Sequence, residues 1–477
     1  MGSAKWHAIM ISLPHQGHIN PFVHLALKLA SKGFTVTFVH LESVHYKLGR
    51  EADPFSEARR SGLDIRYATI GDGLPLEFDR DLHFEEHWRV MMRDFPARVD
   101  EFVGKAMRSD PDWEYLLVTD TFYPWPAVVA PKYNLVNVSF WTQTALTFAL
   151  PYHWHLLQLN GHFPCKDKME EEIDYIPGVE SINTKDVMSY LKESGVSSIV
   201  TKAMAAAFDA VKSADFILHN TMHELEPQTL SALHKYQPNY AVGPLNFSKN
   251  LHHSAVSNSL WSEADCTDWL RSKPPASVLY VSFGSFIHTT KQVMEELAHG
   301  LLLSGVDFVW VIRPGILSSG DADALPEGFG DEIKGKGLVV PWCNQIRVLS
   351  NPAVGGFLTH CGWNSTLESM WCGVPMICYP IAYDQTANRK LVIEKWKFGV
   401  NLCDGERLDR AEIAEKIKGF MSGASLEKLR QEATKLKAAM EKALEFDGSS
   451  ERNFDRFVED LKAKIVDVKS RVAREIR

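Results

Sequence analysis

Between Trp342 and Gln385 the chain gathers residue types that bind anions, flat rings and hydroxyl groups. His360-Cys-Gly-Trp-Asn-Ser falls between an apolar strand ending near Leu358 and a helix starting near Asn364. A strand-to-helix turn with a glycine lets backbone N–H groups approach an anion, and the helix N-terminus adds partial positive charge. Asn364 and Ser365 supply side-chain donors there, so a diphosphate fits the turn. Trp342, just past a strand end, offers a flat face for stacking a base, and Gln345 and Glu368 suit nucleotide or ribose groups. A second set lies near the N-terminus. His15 and His18 occupy a Pro- and Gly-containing loop after the first strand, and Asp120 ends a later one. Doubly wound sheets gather their ligands at such strand ends. By composition alone either histidine is a candidate base. Each residue also has a plainer use: Asn364 or Ser365 as a helix cap, Trp342 as core, Glu368 on a solvated face, Asp120 as a cap.

These residues need a frame, and the pattern predicts one. Trp6–Ser12 reads as a strand, Pro21 as the opening of a helix whose apolar face is Phe22, Leu25, Ala26 and Leu29, and Thr35–Leu41 as a β-branched strand. Tyr115–Thr119 is a further strand, and residues 145–215 read as helical with irregular loops. After a Ser-, Asn- and His-rich linker, the strands Val278–Phe283, Phe308–Ile312, Leu338–Val340, Gly355–Leu358 and Met376–Tyr379 alternate with helices. Three charged helical segments follow Asp409. Two rounds of strand–helix alternation across 477 residues predict two doubly wound α/β domains facing a cleft.

The stretch from Trp342 to Gln385 resembles the signature box of plant small-molecule UDP-glycosyltransferases: an aromatic start, NQ, HCGWNS-x-x-E, GVP and a terminal DQ stand in register. Gly17-His18-Ile19-Asn20-Pro21 and Val281-Ser-Phe-Gly-Ser285 resemble the family as well. Joint spacing of this kind favours a nucleotide-sugar site over the plainer uses. The resemblance implies a GT-B fold, with an acceptor-binding domain over residues 1–246, a linker over 247–260 and a UDP-sugar-binding domain over 261–450. A last helical segment, 451–477, would pack back on the first domain. It implies that Trp342 stacks on uracil, with Cys343 and Gln345 beside the uridine and Glu368 on the ribose hydroxyls. Ser285, His360, Gly362, Asn364 and Ser365 would hold the diphosphate, and Trp363, Asp384 and Gln385 the sugar. His18 would be the general base and Asp120 its partner, the family register favouring His18 over His15. Phe122, Trp141 and Tyr383 are candidate acceptor-pocket residues.

The activity implied is inverting transfer of glucose from UDP-glucose to a hydroxyl of a small lipophilic plant metabolite, a flavonoid, other phenolic, terpenoid or hormone. No cofactor and no metal are expected, UDP-glucose being a co-substrate. A terminal Gln385 resembles glucose users, whereas galactose users of the family more often carry His there. Three positions depart from the usual box: Cys343-Asn344 before Gln345, Gly356 where a bulkier residue is common, and Tyr383 before Asp384.

Other readings fare worse. Asp321-Ala-Asp323 has the pattern of a metal-dependent transferase but sits in a Gly/Ser/Asp loop, and His252-His253 has no further ligand set beside it. No G-x-G-x-x-G opens a helix after a strand, which counts against a nicotinamide dehydrogenase. A non-catalytic or very narrow UDP-sugar-binding homologue, or use of another donor sugar, is the remaining alternative. Net charge is −9, from 60 acidic and 51 basic residues, so a nucleic-acid partner is not expected. No apolar run approaches the ~18 residues of a membrane span. The 7 cysteines lack a C-x-x-C and read as reduced thiols. No signal peptide is read, so a cytoplasmic monomer is expected, with the sequons at Asn137, Asn246 and Asn364 unused.

Overall fold

The computed structural model describes residues 5–49, 53–166, 169–193, 198–247, 261–319, 324–403 and 408–475. Most of the linker, Asp321-Ala-Asp323 and His252-His253 lie outside the described residues. Two compact units are formed. The first comprises the described residues within Met1–Lys185, Tyr190–Leu260 and Ala443–Arg477, and the second those within Asp186–Ser189 and Trp261–Lys442.

In the first unit, β1 (Trp6–Ile11), β2 (Thr35–Leu41), β3 (Ile65–Ile70), β4 (Glu114–Asp120) and β5 (Val136–Trp141) are parallel. A short antiparallel pair, β6 (Glu172–Ile173) and β7 (Ile182–Asn183), precedes β8 (Phe216–His219) and β9 (Asn239–Ala241). The main sheet has the order β3-β2-β1-β4-β5-β8-β9. Strands of a parallel sheet are covered on both faces, and β1, β2 and β5 are buried along almost their whole length, His7, His40, Asn137 and Ser139 included. The order reverses direction between β1 and β4, and a doubly wound sheet opens its crevice at that point.

The second unit repeats the plan. Its strands are β10 (Val278–Ser282), β11 (Asp307–Val311), β12 (Gly337–Val340), β13 (Val354–Thr359), β14 (Met376–Cys378) and β15 (Gly399–Asn401), in the order β12-β11-β10-β13-β14-β15. Here the reversal lies between β10 and β13. Alternate residues of β10 point into different layers: Leu279 and Val281 pack with Met294, Leu297 and Leu301, while Val278 and Tyr280 pack with Val309, Val354 and Phe357. The helix Lys291–Ser304 starts where Thr290 accepts a bond from the Val293 N–H and ends at Gly305, whose φ of 67° suits a left-handed stop. Gly356 is explained by its neighbour: a Cβ there would come within 2.3 Å of the Phe420 ring.

Two departures from the sequence reading bear on the site. The first helix spans Gln16–Ser31, so His18 stands in its first turn and not in a loop, and Pro21 lies inside it. The unit boundaries also differ from those expected. The first unit regains the chain at Ala443, where the helix Gly423–Ala443 ends, and four residues of the first half, Asp186–Ser189, belong to the second unit. The last helix, Ser449–Glu475, is fixed to the rest of the first unit by two buried polar bonds, Lys28 Nζ donating to Glu451 (2.7 Å) and Ser450 to the Gly243 carbonyl (2.6 Å), and by a part-buried one from Tyr240 to Asp460 (2.6 Å).

Candidate active site

At the reversal of the first sheet, three neighbouring strands deliver three side chains. His18 follows β1, Asp120 ends β4 and Thr142 follows β5. The His18 Nδ1 is 2.6 Å from Asp120 Oδ2 and 3.1 Å from Thr142 Oγ1. Asp120 is buried, with 1% of its side chain exposed, while His18 keeps 14%. The other carboxylate oxygen accepts the Phe122 N–H at 3.1 Å, which fixes the carboxylate plane. The Phe122 ring meets the imidazole edge-on at 5.6 Å. Thr142 was missed in the sequence, where nothing marks a threonine one residue past a strand.

His15 lies beside this pair, its ring 6.4 Å from that of His18. Burial, then the charges of His18, His87 and Lys47, hold it well below the usual imidazole range, so it stays neutral. Trp141 is fully buried, its Nε1 donating to the Thr144 carbonyl at 2.8 Å. Its ring therefore backs Phe122 at 5.0 Å and does not itself face a pocket. Phe208 packs on the far side of Trp141 at 5.5 Å and lines an apolar cavity of the same unit with Pro151, Trp154, Phe163 and Met204.

In the second unit the reversal brings together the turn after β10, which carries Ser285, and the turn after β13, which carries His360. The imidazole of His360 lies between two glycines. A Cβ on Gly284 would come within 2.7 Å of it, and one on Gly362 within 2.5 Å. Gly284 also has a φ of +75°, so both space and backbone demand glycine. Burial lowers the His360 pKa to about 4; a hydrogen bond to the Ser282 backbone works against this and the Arg313 charge adds to it. The ring is neutral at pH 7. Arg313, unremarked in the sequence, is buried and donates to the Ile287 carbonyl (2.6 Å), bracing the loop that follows Ser285.

The helix Trp363–Cys372 begins at Gly362, where no side chain caps it. Along it, Ser365 and Glu368 are tied to Gln345, whose Nε2 donates to Ser365 Oγ (2.9 Å) and Glu368 Oε2 (2.5 Å) while its Oε1 accepts from Tyr280 (3.2 Å). Burial pushes the Glu368 carboxyl up to about 7, the Gln345 bond opposing this. Trp342 is half-buried, 6.2 Å from the ring of Trp261, a second tryptophan that sequence reading passed over. Asp384 and Gln385 open the helix Gln385–Lys390. Asn388 Nδ2 donates to Asp384 Oδ2 (2.7 Å) and to the Cys361 carbonyl (2.9 Å), linking this helix to the His360 turn. The Gln385 Oε1 accepts the Ile381 and Ala382 amides (2.8 and 2.9 Å), so its Nε2 is the group left to donate outward.

Three expected contacts are altered by packing. Cys343 and Trp363 are buried, the first against Tyr280 and the second against Trp396, so their side chains belong to the core and they can offer only backbone groups. Tyr383 is half-buried in the second unit, its ring 5.8 Å from Phe286. Asn344, a departure from the common box, caps the helix Gln345–Leu349 by accepting the Arg347 N–H at 3.0 Å. Among the described residues no cluster of three His, Cys, Asp or Glu is placed to hold a metal ion, and no helix is long and apolar enough to cross a membrane.

A glycine-flanked strand–turn–helix in one Rossmann-like unit and a His–Asp pair in the other are arrangements that suit a group-transfer enzyme. Comparison with known proteins makes this specific. The model of the UDP-glucoronosyl and UDP-glucosyl transferase family matches residues 179–428. The chain is 49% identical over 473 residues to UDP-glycosyltransferase 86A1 of Arabidopsis thaliana, covering 97% of this chain and 96% of that one. It is 35% identical over 479 residues to the 7-deoxyloganetin glucosyltransferase of Gardenia jasminoides, covering 96% and 98%. Among solved structures, UGT2 of Phytolacca americana, complexed with UDP-2-fluoro-glucose and pterostilbene, superposes with a TM-score of 0.76 at 26% identity, covering 96% of this chain and all of that one. The chain belongs to the plant family 1 UDP-glycosyltransferases: it is a glycosyltransferase with the GT-B fold class.

Proposed function

We propose that this enzyme transfers glucose from UDP-glucose to a hydroxyl of a small lipophilic plant metabolite, with inversion, and that His18 is the general base. The observation that carries the reading is the 2.6 Å bond between His18 Nδ1 and buried Asp120. A carboxylate accepting the Nδ1–H fixes the tautomer that leaves a lone pair on Nε2 and stabilises the imidazolium once it forms. Nε2 takes the proton from the acceptor hydroxyl as its oxygen attacks the anomeric carbon. The bond from that carbon to the UDP oxygen breaks on the opposite face, so an α-linked donor yields a β-glucoside. UDP leaves with the bonding pair, and the imidazolium later returns its proton to water. General-base catalysis of this kind contributes about 10²–10⁴-fold in rate.

The leaving diphosphate would meet the N–H groups at the start of the helix Trp363–Cys372 and the side chains of Ser285, Asn364 and Ser365, beside the His360 ring. Trp342 would stack on uracil, and Gln345 and Glu368 would take the uridine and ribose hydroxyls. Asp384 accepting and Gln385 Nε2 donating would read sugar hydroxyls. The Phe122 ring, set edge-on to His18, supports an apolar acceptor, which suits the pterostilbene bound in the Phytolacca enzyme. The test is mass spectrometry of the purified enzyme with UDP-glucose and a mixed phenolic, terpenoid and hormone panel, with and without EDTA. A product heavier by one hexose, made equally in EDTA, is expected. No product from any acceptor despite UDP binding would overturn the reading.

A further inference from the structure

We propose that the four-residue segment Asp186–Ser189, drawn from the first half of the chain, is a strap that sets the conformation of the loop carrying Asp384 and Gln385, and so the enzyme's recognition of the donor sugar. The segment is embedded in the second unit. Val187 and Met188 are fully buried. Ser189 forms a two-bond bracket with Tyr383: its N–H donates to the Tyr383 carbonyl (3.0 Å), and its Oγ accepts the Tyr383 N–H (2.8 Å). Thr386 donates to the Val187 carbonyl (2.9 Å), and Arg389 pairs with the buried carboxylate of Asp186.

The bracket holds a residue that has reason to move. Tyr383 has a φ of 60°, a left-handed conformation that a non-glycine residue adopts only at a cost. It immediately precedes the two residues proposed to read the sugar. Were Tyr383 to relax to negative φ, the chain direction into Asp384 would change, and the Ile381 and Ala382 amides would leave the Gln385 Oε1 that orients the outward Nε2. Strap contacts on both sides of Asp384 and Gln385, at Tyr383 and at Thr386 and Arg389, make the loop and the first helical turn one rigid piece. The strap touches no reacting atom in this scheme; it is a positioning element. It rests on the reading of Asp384 and Gln385 as sugar contacts.

The experiment uses the full-length enzyme and calorimetric titration with UDP, UDP-glucose and UDP-galactose, beside hydrogen–deuterium exchange of residues 381–385. In Ser189→Ala the Tyr383 amide loses its acceptor. Exchange there should quicken, and UDP-glucose affinity should fall about two- to tenfold, the range for one lost hydrogen bond. Affinity for UDP alone should stay within about twofold, since a hydrogen bond elsewhere is untouched. Ser189→Thr, which keeps the hydroxyl, should restore both, and Asp186→Asn should act in the same direction as Ser189→Ala. Wild-type exchange in Ser189→Ala would overturn the strap itself. Equal losses for UDP and UDP-glucose would overturn a role in sugar reading in favour of general destabilisation. Gln385→Ala serves as the control for the underlying reading: if it leaves UDP-glucose affinity unchanged, the sugar assignment has failed even where the exchange result upholds the strap.

Discussion

The two units use one topological device for opposite electrostatic ends. In each, the sheet order reverses between a first and a fourth strand, and a histidine follows one of those strands: His18 after β1, His360 after β13. His18 faces a buried carboxylate at 2.6 Å. His360 is enclosed by two glycines and is held neutral by burial, the Arg313 charge adding to it. The fold therefore dictates where a ligand group stands but not its chemistry. Burial and the neighbouring group, not the strand that precedes the ring, set what each imidazole can do.

The sharpest way to break this comparison is His18→Ala, with an expected loss of about 10²–10⁴-fold in hexosyl transfer to hydroxyl acceptors, measured by product formation under saturating UDP-glucose. Near-native turnover would remove His18 from the role of base. Next in size is crowding the other histidine. Gly362→Ala puts a Cβ within 2.5 Å of the His360 ring. Strain or displacement of about 1.4–3 kcal/mol should weaken UDP binding by about 10–150-fold, read by titration; unchanged affinity would mean that the ring is not part of the anion site.

Acid should separate the units as well. In the first, His7, His40, His87, His153 and His219 are lowered by burial to about 4, and His15 is held well below the usual range; in the second, His360 is lowered in this way. Each folded-state value lies below the ordinary 6.5, so the unfolded chain binds protons first. The stability contributed by the neutral rings is complete above pH 6.5 and declines as pH falls from there towards 4. Hydrogen exchange should thus show β1, β2 and β8, which carry His7, His40 and His219, losing protection between pH 6.5 and 5 while β10 and β11 keep theirs. Equal losses in the two sheets would contradict the assignment. The smallest effect is expected from Gln385→His, a few-fold shift from UDP-glucose towards UDP-galactose in competition assays.

Much of this was legible because the chemistry lies where local patterns are strong. Continuous apolar runs marked β1, β10 and β13, and the Trp342–Gln385 box carried its own spacing. The strands β3, β5, β8, β9 and β15 were not marked. Ile65–Ile70 alternates with charge at the sheet edge, and Gly399–Asn401 is three residues long, too short for a period to register. The first helix was misplaced because Pro21 is a favoured first residue, yet tertiary packing starts the helix at Gln16. Thr142, Arg313, Trp261 and the strap at Ser189 escaped for another reason. Each acts on residues beyond its own element, from 26 positions away for Arg313 to 194 for Ser189, and such a partner leaves no local trace. Burial also reassigned Trp141, Trp363 and Cys343, since an aromatic or thiol in a box cannot announce which way it points.

The central claim is that proton removal and donor binding belong to different units. Titrating UDP into His18→Ala and Gly362→Ala side by side tests this most directly. The account predicts wild-type affinity in the first variant and a loss of at least about tenfold in the second. Weakened UDP binding in His18→Ala with normal binding in Gly362→Ala would contradict it.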